Sequence, residues 1–371
     1  MKRKSGGVTR RQLLIGTGAI GLTAVASRVF EQMIRARKAP AILRDFTLTV
    51  STWGGVTQDS IKTFVQPEFE KQTGATLAYD IGGQGARTNK LLAQRVDPPA
   101  DIFFSTDEAV VAGYKAGILT PARRQFVPNA TQLEDWSHTV ENFNTDTTLP
   151  GIPYTLIAYV LAYNPESVKE KPTSWGDMWR PEFLGKLAFA SPVHTQMPAF
   201  VIVASELAGG SVSNVDPGFK KLAELKPIKL TVFWTDWAPL DKTGDATLAT
   251  EFDYYLETMK NDKYPIDYVI PKEKGFASPE YASIVKGTKN QEIAEVFLNL
   301  LIDAKIQESF AINTYQTPVN KTVKLTGAQI ARCGCGASVE QLRFFDPALF
   351  FEKRPLWTER MNTEVVPNWR V

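Results

Sequence analysis

The polar residues that stand out in this sequence are suited to holding a solute rather than transforming one. Asp253-Tyr254-Tyr255 sets a carboxylate beside two phenols, hard oxygen donors of the kind ferric iron accepts; an amphipathic helix from Asp253 to Met259 would instead make either tyrosine ordinary core. Ser105, Thr106, Asp107 and Glu108 fall where a strand gives way to a helix, so they either contact a solute or cap that helix. Ser191-Pro192-Val193-His194-Thr195 links a strand to a helix whose N-terminal amides favour anions, although a lone His is more often structural. Trp53 offers a face that packs an alkyl chain or attracts an ammonium by about 0.5–2 kcal/mol, unless it is a plain core residue. Glu280 would pair strongly with an amine in a partly dry cleft, or else sit in solvent at a rim.

Turnover chemistry is thinly provided. The chain has only two His, no Cys-rich metal pattern, no Gly-rich phosphate loop and no Ser flanked as Gly-x-Ser-x-Gly, so an exported enzyme has little support and no cofactor is expected. Cys333-Gly334-Cys335 is too tight for a framework disulfide. A ring closed across one residue would be strained and easily reduced, and free thiols or a weak metal pair are equally open.

The elements that must position these groups follow an export signal. Lys2, Arg3, Lys4, Arg10 and Arg11 precede an apolar run from Leu13 to Val25, about 13 residues against the roughly 20 that span a bilayer. Ala24-Val25-Ala26 is a small-x-small pattern, which puts cleavage near Ala26 and the mature chain in the periplasm. Thr9-Arg10-Arg11-Gln12-Leu13-Leu14 resembles the twin-arginine signal of proteins exported folded; an ordinary secretory signal or an uncleaved anchor is the alternative. No Cys follows the run, which excludes lipid attachment there. Residues 1–26 hold five basic and no acidic side chains, so their removal turns 42 Lys and Arg against 40 Asp and Glu into 37 against 40, a formal charge near −3. Binding to nucleic acid or an acidic membrane surface loses its electrostatic basis.

Residues 27–45 read as a linker, and the remaining length exceeds what one core usually supports. Strands are predicted at Phe46–Thr52, Ala75–Ile81 and Asp101–Ser105. They alternate with helices at Ser60–Lys71, Thr88–Gln94 and through Val110, Tyr114 and Ala116, with Gly74 and Gly117 as stops. A second α/β block opens near Tyr154, with strands at Ile157–Tyr163, Lys186–Ala190, Leu230–Trp234, Ala246–Phe252 and Ile266–Ile270. Its helices are a short one from Trp175 to Trp179 and a longer one from Pro198 to Leu207; Gln291–Ile302 and Ile306–Phe310 follow. Ligands in open α/β sheets sit beyond the carboxyl ends of strands, so Ser51–Gly55 and Ser105–Glu108 are the first places to look.

Several stretches taken in order carry a resemblance. They are Phe69-Glu70-Lys71-Gln72-Thr73-Gly74, Asp101-Ile102-Phe103-Phe104-Ser105 with Gly113 to Leu119, Gly151-Ile152-Pro153-Tyr154 leading into Tyr163-Asn164-Pro165, Pro172 to Lys186, Pro265 to Glu273, and Tyr315-Gln316-Thr317-Pro318-Val319-Asn320. Together they resemble the periplasmic solute-binding proteins of ABC importers, most closely the spermidine/putrescine-binding group, to which ferric-iron binders are related.

The resemblance implies a two-lobed α/β fold of the type II periplasmic-binding class, each lobe a mostly parallel sheet flanked by helices. Lobe one would hold residues 46–153 and 272–330, lobe two residues 154–271, and residues 331–371 a helical tail. It further implies a monomer that closes on a small solute, polyamine-like and amine-bearing, and is read by an inner-membrane permease. Trp53 falls where polyamine binders also carry Trp, Asp107 where the iron binders place a carboxylate, and Tyr254 and Tyr255 near their tandem tyrosines, although the His expected beside the first strand is absent. Asp253 joins Trp53, Asp107 and Glu280 on the amine reading. Ser278 and Glu280 are expected to follow the second crossing between the lobes, Glu280 near an acid of the polyamine binders and Ser278 in place of their Trp. The loop holding His194 and Thr195 has none of their acidic residues. On this resemblance the ligand residues are Trp53, Ser105, Asp107, His194, Thr195, Asp253, Tyr254, Tyr255 and Glu280, with ferric iron held by Asp107, Tyr254 and Tyr255 as the alternative.

Overall fold

The structure, a computed structural model, describes residues 46–135, 145–333 and 339–369. The export signal, the linker and Cys335 lie outside the described residues, while Cys333 is a buried free thiol.

In chain order the strands are β1 (Thr47–Thr52), β2 (Thr76–Ile81), β3 (Ile102–Thr106), β4 (Leu119–Thr120), β5 (Ala122–Arg123), β6 (Thr148–Leu149), β7 (Ile152–Tyr163), β8 (Leu187–Ala190), β9 (Pro227–Thr231), β10 (Leu248–Phe252), β11 (Asp267–Val269), β12 (Gly275–Val285) and β13 (Leu342–Arg343). All except β5 and β6 join one mixed sheet, whose main order is β2-β1-β3-β12-β7-β10-β8-β9. At one end β1 runs parallel to β2 and β3; at the other β8 runs parallel to β9 and β10. Between them β7 and β12 pair antiparallel, from Phe276 opposite Tyr159 to Ala282 opposite Ile152. Both strands are buried along their whole length, and they tie the two parallel blocks together.

The longer helices are α1 (residues 56–73), α2 (Gln84–Ala93), α3 (Asp107–Lys115), α4 (Met197–Leu207), α5 (Asp216–Ala223), α6 (Ala238–Thr243), α7 (Asp253–Asn261), α8 (Gln291–Leu301), α9 (Ala304–Thr314), α10 (Gly327–Arg332) and α11 (residues 347–369). Gly74 ends α1 in the left-handed region, at φ 73°, as a terminating glycine should. The two cores follow the two blocks. One gathers Leu48, Val50, Phe69, Phe104 and Tyr154 with Phe297, Leu298 and Phe310. The other gathers Tyr159, Trp175, Phe189, Phe200 and Phe219 with Phe276, and α11 adds Phe350, Trp357, Met361, Val365 and Trp369 to it.

Two sequence expectations change. Ser278 and Glu280 lie inside the second crossing rather than after it, because β12 carries the chain through Pro279. The strand accommodates that proline opposite Leu156 with a register shift at Glu280/Tyr281. Helix α2 begins at Gln84 rather than Thr88, since Gly82, Gly83 and Gly85 weaken the periodic signal over its first turn.

Candidate functional site

The parallel strands of both blocks end toward one cleft of about 870 Å³. Trp53 follows β1, Gly82 to Gly85 follow β2, and Thr106 and Glu108 close β3. From the other block, Val193, His194 and Thr195 follow β8, Val232 and Phe233 follow β9, and Phe252, Tyr254 and Tyr255 close β10. Each strand supplies its cleft residue just past its carboxyl end, where an open α/β sheet exposes backbone and side chains to a ligand. Ser278 and Glu280 reach the same cleft from the middle of β12, and Arg354 reaches it from α11.

Of the residues proposed from sequence, Trp53, His194, Thr195, Tyr254, Tyr255 and Glu280 therefore line one cavity. Ser105 does not: it is fully buried in β3 opposite Tyr281. Asp253 is buried too, its carboxylate accepting the Ala158 N–H at 3.0 Å and the Tyr254 N–H at 2.8 Å, which holds the start of α7 against β7. Asp107 accepts the Glu108 N–H at 2.7 Å and lines a small void of about 20 Å³ that adjoins the cleft and shares Thr106, Glu108, Thr195 and Ser278 with it. No group of three or more His, Cys, Asp or Glu gathers among the described residues.

Glu280 is the cleft's buried acid. The Tyr154 hydroxyl donates to it at 2.5 Å. Burial pushes its carboxyl up to about 7, against the opposing pull of the Tyr154 hydrogen bond and the positive charge of Arg87. Arg87 is itself buried: its Nε donates to the Gly82 carbonyl at 2.8 Å, and its Nη1 donates to the carbonyls of Ser51 at 3.0 Å and Phe104 at 2.9 Å. Its guanidinium lies 5.0 Å from the Trp53 ring centre, so one residue ties the ends of β1, β2 and β3 and backs the indole.

The opposite wall is aromatic. Tyr254 and Tyr255 have ring centres 4.0 Å apart. Burial holds the Tyr254 phenol well above its ordinary range and pushes Tyr255 up to about 12, so both remain neutral donors. His194 accepts the Gln196 N–H on Nδ1 at 3.1 Å and packs on Tyr159 with ring centres 5.0 Å apart. Burial, with the charge of Arg354, lowers it to about 3, so it is a neutral wall residue at physiological pH.

Arg87, Tyr154 and Arg354 escaped the sequence reading. Their signal is spatial: a buried arginine that caps three strand ends looks like any surface helix residue in one dimension, and Arg354 meets its partner Glu108 across 246 residues.

A family model described as bacterial extracellular solute-binding protein matches residues 97–330. The spermidine/putrescine-binding periplasmic protein 1 of Haemophilus influenzae is 23% identical over 307 residues, 81% of this chain and 82% of that protein. The gamma-aminobutyric acid-binding protein of Pseudomonas aeruginosa is 24% identical over 305 residues, covering 76% and 80%. Among solved structures, an ABC transporter protein from Clostridium perfringens superposes with a TM-score of 0.73 at 28% identity, covering 86% of this chain and 99% of its own.

Proposed function

This chain belongs to the bacterial extracellular solute-binding proteins, with their two-lobed α/β fold, and from that premise we propose that it captures an amine-bearing organic solute and hands it to the permease of an ABC importer. The observation that carries the reading is Glu280, a buried carboxylate in the wall of a cleft that Trp53, Tyr254 and Tyr255 also line. An ammonium there gains a charge-assisted hydrogen bond in a partly dry site and favourable contact with ring faces. Polyamines and gamma-aminobutyrate, the solutes for which those relatives are named, share that amine. Export through the twin-arginine signal, cleavage near Ala26, a periplasmic location and action as a monomer without turnover complete the proposal. His194 and Thr195 serve as cleft wall, whereas Ser105, Asp107 and Asp253 support the elements behind it.

The test is a thermal-shift and titration panel of putrescine, spermidine, 4-aminobutanoate, sugars and carboxylates. A solute at 100 times its Kd stabilises the folded state by about 2.7 kcal/mol. Amines are expected to raise the melting temperature, and Glu280→Gln to weaken the best of them roughly 10- to 100-fold, the worth of a charge-assisted contact. An amine response unchanged by Glu280→Gln would overturn the assignment. The ferric reading predicts instead a visible absorbance with ferric salt that is lost in Tyr255→Phe.

A further inference from the structure

Resting on the amine reading above, we infer that the cleft accepts a solute with a single ammonium group and discriminates against diamines, and that Arg354 sets this limit. Among the described residues lining the cleft, the carboxylic acids and the basic side chains besides neutral His194 are Glu108, Glu280 and Arg354. Two carboxylates would suit a diamine. One of them is already taken.

Arg354 Nε donates to Glu108 at 2.6 Å, and Nη2 donates to the other Glu108 oxygen, a two-point fork. Arg354 also donates to the carbonyls of His194 at 3.1 Å and Thr195 at 2.8 Å. One carboxylate and two carbonyls, the acceptors that a second ammonium would need at that end, are therefore engaged by a guanidinium fork. Glu280 differs: it accepts from the neutral Tyr154 hydroxyl, and Arg87 behind it, whose Nε and Nη1 serve three backbone carbonyls, acts on it through its charge. A second ammonium would have to displace Arg354 or stand beside a like charge.

The helix α11 makes the arrangement stiff. Phe350 and Trp357, one turn to either side of residue 354, are buried in the second core, and Lys115 of α3 lies 4.6 Å over the Phe351 ring. Arg354 is thus held between α3 of one block and the β8–α4 loop of the other. Side-chain exposures of 23% for Arg354 and 14% for Glu108 leave the fork little solvent to compete with it.

Titration calorimetry on the full chain decides the matter with three probes: putrescine, butylamine and 4-aminobutanoate. The better of the two monoamines is expected to bind at least 10-fold tighter than putrescine. Preference for 4-aminobutanoate over butylamine marks an anionic far end, and the reverse a neutral one; both fit a single-ammonium solute. Arg354→Gln should tighten putrescine about 10-fold or more by freeing Glu108, Arg354→Lys should keep the discrimination, and Glu108→Gln in the Arg354→Gln background should restore it. Putrescine binding as tightly as both monoamines in the unaltered protein overturns this inference while leaving the amine reading intact. Failure of all three probes removes the amine reading and this inference with it. Should Arg354→Gln not fold, the ratio in the unaltered protein and the Arg354→Lys variant still decide.

Discussion

The chemistry of the cleft turns on how few side chains carry it. An ammonium pairs with Glu280 only when the carboxyl is ionised, and with that group titrating near 7 the amine must displace a proton at lower pH. Affinity for an amine should therefore rise up to about 10-fold per pH unit between pH 5.5 and 7 and level off above about 7.5, whereas Glu280→Gln should respond weakly and without slope. A level profile across that range in the unaltered protein would remove Glu280 from the binding step. Arg87 makes a separate prediction, because its guanidinium serves the carbonyls of Gly82, Ser51 and Phe104 in the interior. Arg87→Met strips hydrogen bonds from all three and should cost about 3 kcal/mol or more in a urea unfolding series. Arg87→Lys should recover only part of that loss, since an ammonium lacks the planar fork. Preserved stability in Arg87→Met would mean that water replaces the guanidinium freely.

Elements were legible in the sequence where one signal dominated. The stop of α1 at Gly74, the helix after Phe252 and the strand before Tyr163 could be read from periodicity and a terminating glycine, and the structure has elements there. β12 was not legible, because a proline in a run of Ala and Ser reads as a break until a partner strand is known to face it. The same reason hid much of the cleft: Trp53, Tyr254 and Glu280 carried chemical types worth noticing, but Arg87 and Arg354 owe their roles to strand ends and a helix far away in sequence. Packing between elements also sets limits that composition does not show. Helices α4 and α5 approach so closely that a Cβ on Gly218 would lie 2.4 Å from the Val201 carbonyl and 2.8 Å from the Ser205 nitrogen. Gly218→Ala should therefore force the helices apart and lower stability by about 1–3 kcal/mol, even though alanine favours helix. The measurement is a chemical denaturation curve, and an unchanged or raised midpoint would show that the α4–α5 contact yields.

At the scale of the whole molecule, solute and acidity act on the same balance. Burial raises Glu251 and Glu280, and likewise Asp241, to about 7, from ordinary values of 4.5 for glutamate and 3.8 for aspartate. Between those ordinary values and 7 the folded chain holds more protons than the unfolded one, so raising the pH favours unfolding. The loss is at most about 1.4 kcal/mol per pH unit for each group and is complete once the pH passes 7. His194, lowered to about 3, opposes this trend up to its ordinary value of 6.5, but it is one group against three; carboxyls held low by hydrogen bonds or ion pairs, such as Glu68 and Glu364, oppose it only below their ordinary values. The solute-free protein should accordingly melt highest near pH 5 and several degrees lower at pH 7.5. Of the three acids, Glu280 alone lines the cleft, where a bound ammonium compensates the ionised form. A saturating amine should thus raise the melting temperature more at pH 8 than at pH 5, and Glu280→Gln should both lessen the fall in the solute-free protein and equalise the two shifts. Equal amine shifts at pH 5 and pH 8 in the unaltered chain would break the link between the buried acid, the solute's charge and the stability of the closed fold.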